Sequence, residues 1–269
     1  MAASLDHIVA ATRRRVSAAK QKADLRELEA RALQHAPRGF RGPLHAAAQN
    51  GPAIIAELKK ASPSRGLIRA DFDPAKLAIE MAHSGASALS VLTDEEFFQG
   101  SLENLRKASA ASGLPCLRKD FIIDEFQLLE ARASHADAVL LIVAALSDSE
   151  LRALAQAARN LKLDVLCEVH GEAELQRALD AGCDLIGVNN RDLRTFKVDL
   201  QTALRMGPLI PSHVLSVAES GIHSGQDIAR LRAGGYQAFL IGESLMKEAS
   251  PGEALRKLLA EAKVPVSSF

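Results

Sequence analysis

The sequence predicts an α/β protein, a (β/α)8 barrel with an additional N-terminal helical segment. Eight short apolar runs recur about twenty to thirty-five residues apart, the length of a strand, a helix and two short loops. Nearly every run is apolar on both faces, as expected of parallel strands sheathed by helices. The 269 residues suit one closed barrel. A doubly wound open sheet is the alternative, but it would carry a Gly-rich turn after its first strand, and Glu57-Leu-Lys-Lys-Ala-Ser62 is not one. Residues 1–269 therefore read as a single domain, with 1–50 as a helical extension packing on the barrel.

From Ser4 to about Leu33, apolar residues recur at helical spacing, with an interruption at Lys22 to Asp24. Pro37-Arg38-Gly39 and Arg41-Gly42-Pro43 then read as chain breaks. The expected strands are Ala53–Leu58, Ala88–Thr93, Pro115–Lys119, Ala138–Val143, Asp164–Val169, Leu185–Asn189, Val214–Ala218 and Ala238–Gly242. Helices fill the intervals. Asp73-Pro74 supplies a cap and a first-turn proline before Ala75–His83. Ser147-Asp-Ser-Glu150 and Ser224-Gly-Gln-Asp227 read as capping boxes opening two later helices.

Composition excludes several classes. Lys plus Arg and Asp plus Glu are both 33, so no overall field draws in nucleic acid or an anionic membrane. No apolar run is long enough to cross a bilayer. The basic Arg13-Arg14-Arg15 segment reads as a surface helix rather than a transit peptide, because Asp24, Glu27 and Glu29 follow closely. Cys116, Cys167 and Cys183 sit in apolar runs without C-x-x-C spacing, as reduced core residues of a cytoplasmic protein do. The histidines lack metal-ligand spacing, so no metal site is expected. A monomer is expected.

In such a barrel the active site lies at the C-terminal strand ends. Glu57 and Lys59 share one face of the first strand end, where a solvated ion pair is the ordinary alternative. Lys119 ends the third strand, Glu168 the fifth and Asn189 the sixth; Ser220 follows the seventh. Two lysines and two glutamates in one cup would shift each other's pKa values, as acid–base chemistry requires. His170 lies on the Glu168 face. Gly221 and Gly242 stand where this fold commonly binds phosphate, although tight turns would also use them. Phe98 and Phe121 either cap the core or flank a planar ring. The expected ligand is a small phosphorylated molecule.

The runs Ile55-Ala-Glu-Leu-Lys-Lys-Ala-Ser-Pro-Ser64, Leu89-Ser-Val-Leu-Thr-Asp94, Leu117-Arg-Lys-Asp-Phe121, Glu168-Val-His170, Ile186-Gly-Val-Asn-Asn-Arg-Asp-Leu193, Glu219-Ser-Gly-Ile222 and Leu240-Ile-Gly-Glu-Ser-Leu-Met246 closely resemble the indole-3-glycerol-phosphate synthase family. The resemblance spans essentially the whole chain. It implies ring closure, decarboxylation and dehydration of 1-(2-carboxyphenylamino)-1-deoxyribulose 5-phosphate, without metal or organic cofactor. By the same resemblance Lys119 is the general acid, and Glu57, Lys59 and Glu168 serve the later proton transfers. Asn189 and Ser220 orient hydroxyl groups. Arg191 meets the substrate carboxylate; Ser62, Gly221, Gly242 and the Glu243 amide take the phosphate; Phe98, Phe121 and Leu140 touch the ring. Family members often carry a small residue where Glu243 stands, so its carboxylate must turn outward or repel the ligand. Other readings are a Schiff-base aldolase using a mouth lysine, a phosphoribosyl-anthranilate isomerase, and a barrel that binds phosphate without catalysis.

Overall fold

The structure, a computed structural model, describes residues 4–193 and 195–262. Eight parallel strands close into a barrel: β1 (Ala53–Leu58), β2 (Ala88–Leu92), β3 (Cys116–Lys119), β4 (Ala138–Ile142), β5 (Asp164–Val169), β6 (Leu185–Asn189), β7 (Leu215–Glu219) and β8 (Ala238–Ile241). Each pairs with the next in chain order, and β8 returns to pair with β1. Alternate residues face inward. Ile55, Leu117, Leu140, Leu166, Val217 and Leu240 belong to the cluster that fills the barrel, and the opposite faces join a second cluster with the surrounding helices.

The seventh strand is displaced by one residue from the sequence expectation. Val214 is buried but lies in a turn, where its N–H donates to the Pro211 carbonyl at 2.9 Å. The strand proper runs to Glu219, which therefore shares the inward face of Leu215 and Val217.

The extension forms α1 (Leu5–Lys22), α2 (Leu25–Gln34) and α3 (Arg41–Ala48). The interruption expected at Lys22 to Asp24 is where Asp24 caps α2, accepting from the Arg26 and Glu27 amides. Arg41-Gly42-Pro43 is not a break; it is the first turn of α3. A proline there lacks an N–H that the helix would leave unpaired anyway. Asp164, at the foot of β5, accepts from the Phe40 and Arg41 amides at 2.6 and 2.8 Å and fixes that turn. Phe40 and Leu44 thereby plug the N-terminal end of the barrel and are fully buried.

A second anchor lies close by. Asp137 accepts from Arg38 through its backbone amide at 2.7 Å and its Nη2 at 2.6 Å, and from the Cys116 amide at 2.7 Å. The capping boxes at Ser147/Glu150 and Ser224/Asp227 both form, and Asp73 caps the helix Pro74–His83. All three cysteines are buried and free. Among the described residues no helix is long and apolar enough to cross a membrane.

Candidate active site

The strand register brings the polar residues to one level. Leu92 pairs with Lys119, Ile142 with Glu168 and Asn189 with Glu219, all at the C-terminal end of the barrel. They open into a cavity of about 450 Å³, and every residue singled out above for catalysis or binding lines it.

Lys119 Nζ stands at the centre. It donates to Glu168 Oε2 at 3.0 Å and to Glu219 Oε2 at 2.9 Å. Burial opposes its charge, but the carboxylates of Glu168, Glu219 and Glu57 outweigh that, so Lys119 is held protonated with its pKa above the ordinary lysine value. Glu168 is buried as well; Lys119 and His170 overcome the desolvation and keep its carboxyl well below the usual range. Asn189 Nδ2 donates to the other oxygen of Glu168 at 3.1 Å, and His170 Nε2 approaches it at 3.3 Å. His170 Nδ1 lies 3.1 Å from Glu174, and although burial works against its charge, the two glutamates push the imidazole up to about 10.

Lys59 Nζ donates to Glu57 Oε1 at 2.5 Å. Glu57 is desolvated, yet Lys59 and Lys119 hold its pKa below normal. The buried ion pair, not the solvated one, is therefore the correct reading of this strand end.

Glu219 is the residue that sequence reasoning left out. Its run Glu219-Ser-Gly-Ile222 stands at the seventh strand end, but nothing in the sequence assigns Glu219 a role of its own. In the structure it projects from the strand onto Lys119, and its Oε1 is buried without a hydrogen-bond partner. Burial raises its pKa, Lys119 only partly offsets this and the Glu168 charge adds to it, leaving the carboxyl at about 7. Two glycines make room for the carboxylates. A Cβ on Gly187 would stand 2.0 Å from Glu219 Oε1, and one on Gly242 would stand 2.5 Å from Glu57 Oε1. Gly187 in an apolar strand was the signal that a neighbouring side chain needed its space.

At the rim, Ser220 and Gly221 both have positive φ, 66° and 79°. That backbone geometry favours glycine, and a Cβ at 221 would also meet Val198 Cγ1 at 2.5 Å. Ser62 Oγ is buried and unpartnered. The Glu243 carboxylate turns neither into the cup nor freely outward. It lies between Arg65 Nε at 2.9 Å and Arg191 Nη2 at 3.4 Å. On the other wall the Phe98 and Phe121 rings are 6.3 Å apart at 39°, with Leu140 lining the same cavity.

Helix α1 supplies a roof that the sequence did not reveal. Leu5 and Ile8 line the cavity, and Arg15 donates to Asp94 and to Asp120, each at 2.9 Å. Among the described residues, no group of three or more His, Cys, Asp or Glu is arranged to hold a metal ion.

The family model of indole-3-glycerol phosphate synthase matches residues 5–258. The chain belongs to the indole-3-glycerol phosphate synthase family. A member from Koribacter versatilis (strain Ellin345) is 58% identical over 259 residues, covering 96% of this chain and 100% of its own. One from Acidithiobacillus ferrooxidans (strain ATCC 53993 / BNL-5-31) is 52% identical over 256 residues, 94% of this chain and 97% of its own. Among solved structures, the barrel superposes on thiamine phosphate pyrophosphorylase from Pyrococcus furiosus with a TM-score of 0.58 at 15% identity, covering 78% of this chain and 95% of that one. A 3-hexulose-6-phosphate synthase gives a TM-score of 0.60 at 15% identity, covering 78% and 99%. At that identity the structural likeness speaks for the fold alone. For a member of this synthase family, the cluster on the barrel floor is the place to look for chemistry.

Proposed function

We propose that this barrel converts 1-(2-carboxyphenylamino)-1-deoxyribulose 5-phosphate into indole-3-glycerol phosphate, CO2 and water, a carboxy-lyase step of tryptophan biosynthesis. The observation that carries the reading is Lys119 Nζ held between Glu168 and Glu219 on the floor of a cavity whose rim bears two arginines. Membership of the family supports it.

The ring carbon that bears the carboxylate attacks the C2 carbonyl of the ribulose. A carbon–carbon bond forms, and the carbonyl oxygen takes a proton from the Lys119 ammonium. The carboxylate now sits on a saturated carbon beside a cationic nitrogen. Its carbon–carbon bond breaks, CO2 leaves and the electron pair restores the aromatic ring. Loss of hydroxide from C2 with a proton from C1 then completes the indole. Glu168 serves this last step as acid–base partner, and Glu57 holds Lys59 in place. Glu219, which titrates at about 7, is positioned to return a proton to Lys119.

Binding follows from the rim. Arg191 offers a guanidinium fork to the aryl carboxylate. Ser62, Gly221, Gly242 and the Glu243 amide receive the phosphate, Asn189 and Ser220 orient the hydroxyls, and Phe98, Phe121 and Leu140 sandwich the ring. The protein acts as a monomer in the cytoplasm, which sedimentation and cell fractionation would test.

The assay is direct: purified protein given this substrate, without added metal, develops indole absorbance and fluorescence. Absence of product would sink the reading. Borohydride labelling of Lys119 or Lys59 in the presence of substrate would instead establish a Schiff-base enzyme.

A further inference from the structure

One guanidinium on α1 holds the two strand-end segments that carry the ring-wall phenylalanines. Arg15 Nη1 donates to Asp94 Oδ2, and its Nη2 to Asp120 Oδ1, each at 2.9 Å. Asp94 caps the four-residue helix Glu95–Phe98, accepting from the Phe97 amide at 2.7 Å, and its carbonyl accepts from the Gly100 amide at 2.8 Å. Phe98 is thus tied to Asp94 within one closed loop. Asp120 accepts from the Phe121 amide at 2.9 Å and so carries the opposite ring. Both carboxylates are buried, but their support is unequal. Asp120 also has Arg118 Nη2 at 3.0 Å and Thr93 Oγ1 at 2.7 Å, whereas among the described residues Arg15 is the only cation paired with Asp94. Burial raises the Asp94 carboxyl above its ordinary value; the Phe97 amide and Arg15 oppose this, and the Asp120 charge adds to it. Helix α1 touches the same loop a second time where His7 meets the Phe97 ring edge-on, with centroids 5.8 Å apart.

We propose that Arg15 is a positioning residue for the substrate's aryl group: it draws the Asp94 loop onto the better-anchored Asp120 segment and so sets Phe98 against Phe121. The proposal rests on the reading above, in which those rings flank an aromatic ligand. Without Arg15, two buried carboxylates on neighbouring strand ends lose the cation between them and repel. Asp120 stays on Arg118 and Thr93, so the Asp94 loop is the part that gives way. Phe98 then leaves its place 6.3 Å from Phe121. Lys119 keeps Glu168 and Glu219, neither of which Arg15 touches, so the floor of the cup is preserved. Arg15 itself does not line the cavity, and its influence on the ligand runs through Phe98.

The test uses Arg15→Ala, Arg15→Lys, Phe98→Ala and the double variant Arg15→Ala/Phe98→Ala in the full chain. Arg15→Ala is expected to raise KM for the carboxyphenylamino substrate about tenfold, roughly the upper end of one aromatic contact, with kcat within about threefold of wild type. Calorimetry with indole-3-glycerol phosphate should show its Kd rising in parallel. A KM within about twofold of wild type overturns the proposal, as does a loss that falls on kcat alone. The double variant should have the KM of Phe98→Ala to within about twofold; multiplied effects would mean that Arg15 acts through some other part of the roof, and would overturn it too. Arg15→Lys keeps the charge but cannot grip two carboxylates through separate nitrogens, so its KM should still rise at least about threefold. A wild-type KM there would show that charge, not the bridge, is what counts, and this variant decides alone if Arg15→Ala does not fold. Wild-type protein that fails to turn over the substrate would refute the underlying reading and this proposal with it, whereas turnover with an unmoved KM in the variants refutes the proposal only.

Discussion

A methyl group added by Gly187→Ala would stand 2.0 Å from Glu219 Oε1, 3.1 Å from Glu219 Cδ and 3.2 Å from Leu166 Cδ1. Carbon and oxygen in contact need more than about 3 Å, so the carboxyl must retreat by about 1 Å. Its other oxygen is the one that accepts from Lys119 at 2.9 Å, and the same retreat carries that contact out of hydrogen-bond range. The atom that yields is the far end of a side chain, so the strand stays where it is. Overpacking of this kind destabilises by about 1–3 kcal/mol, with the low end expected here. The effect on chemistry is larger, because a misplacement of about 1 Å at a reacting site lowers rate by about a hundredfold. Indole fluorescence in steady state should accordingly show kcat reduced by about two orders of magnitude, KM within about threefold and a melting midpoint only a few degrees lower. A folded variant with kcat within about threefold of wild type would refute the reasoning, since Lys119 would then work without Glu219 in its observed place.

Other perturbations separate the roles of the neighbouring groups. Lys119→Ala should still bind substrate yet lose most turnover, and it leaves Glu168 and Glu219 buried without their cation; urea unfolding should register a loss of about 3–5 kcal/mol. Glu219 binds its proton more tightly folded, at about 7, than at the ordinary 4.5, so its contribution to stability is greatest below 4.5 and declines as pH rises to 7. Unfolding curves of Glu219→Gln across that interval should lack the decline. His170 follows the same sign over a higher interval: its folded value of about 10 lies above the ordinary 6.5, so the stability it gives is full below 6.5 and disappears as pH climbs through 10. His170→Asn should remove that alkaline loss and lower kcat about tenfold by freeing Glu168, readable in a pH–rate profile. Asp137→Ala takes the carboxylate from Arg38, leaving it only Ser109, and the acceptor from the Cys116 amide, and should destabilise by about 3 kcal/mol or more in denaturant, with KM unmoved.

Most of the barrel was legible because its strands are apolar on both faces and its helices announce themselves with Asp73-Pro74, Ser147-x-x-Glu150 and Ser224-x-x-Asp227. The bounds of the seventh strand were not, and a site group stood just past its expected end. Val214 has the β-branched, apolar character of a strand residue, yet it closes a turn, so the strand runs one residue later than expected and ends on Glu219, whose contact with Lys119 joins residues far apart in the chain. Gly42-Pro43 misled for a different reason. The local sequence says break, while Asp164, far along the chain, holds the Phe40 and Arg41 amides and makes the segment helical. Leu5 and Ile8 carry no chemical signature at all; their place over the cavity depends on Arg15 reaching Asp94 and Asp120, contacts between residues far apart in the chain. The Glu243 carboxylate could be placed at the rim from its motif, but its direction is set by Arg65 and Arg191, which no spacing rule connects to it.

That roof divides the cavity's ownership between two kinds of sequence. The floor is written into eight strand ends that cannot change without disturbing the cylinder, whereas the ceiling is a helix fastened from outside, by Arg15 on Asp94 and Asp120 and by Lys20 on Asp124. Substitutions at Leu5 and Ile8 can therefore widen or narrow the cavity while the groups on its floor stay fixed. Selection, or an engineer, can tune the size of the cavity through one peripheral helix, leaving the charged cluster beneath it untouched.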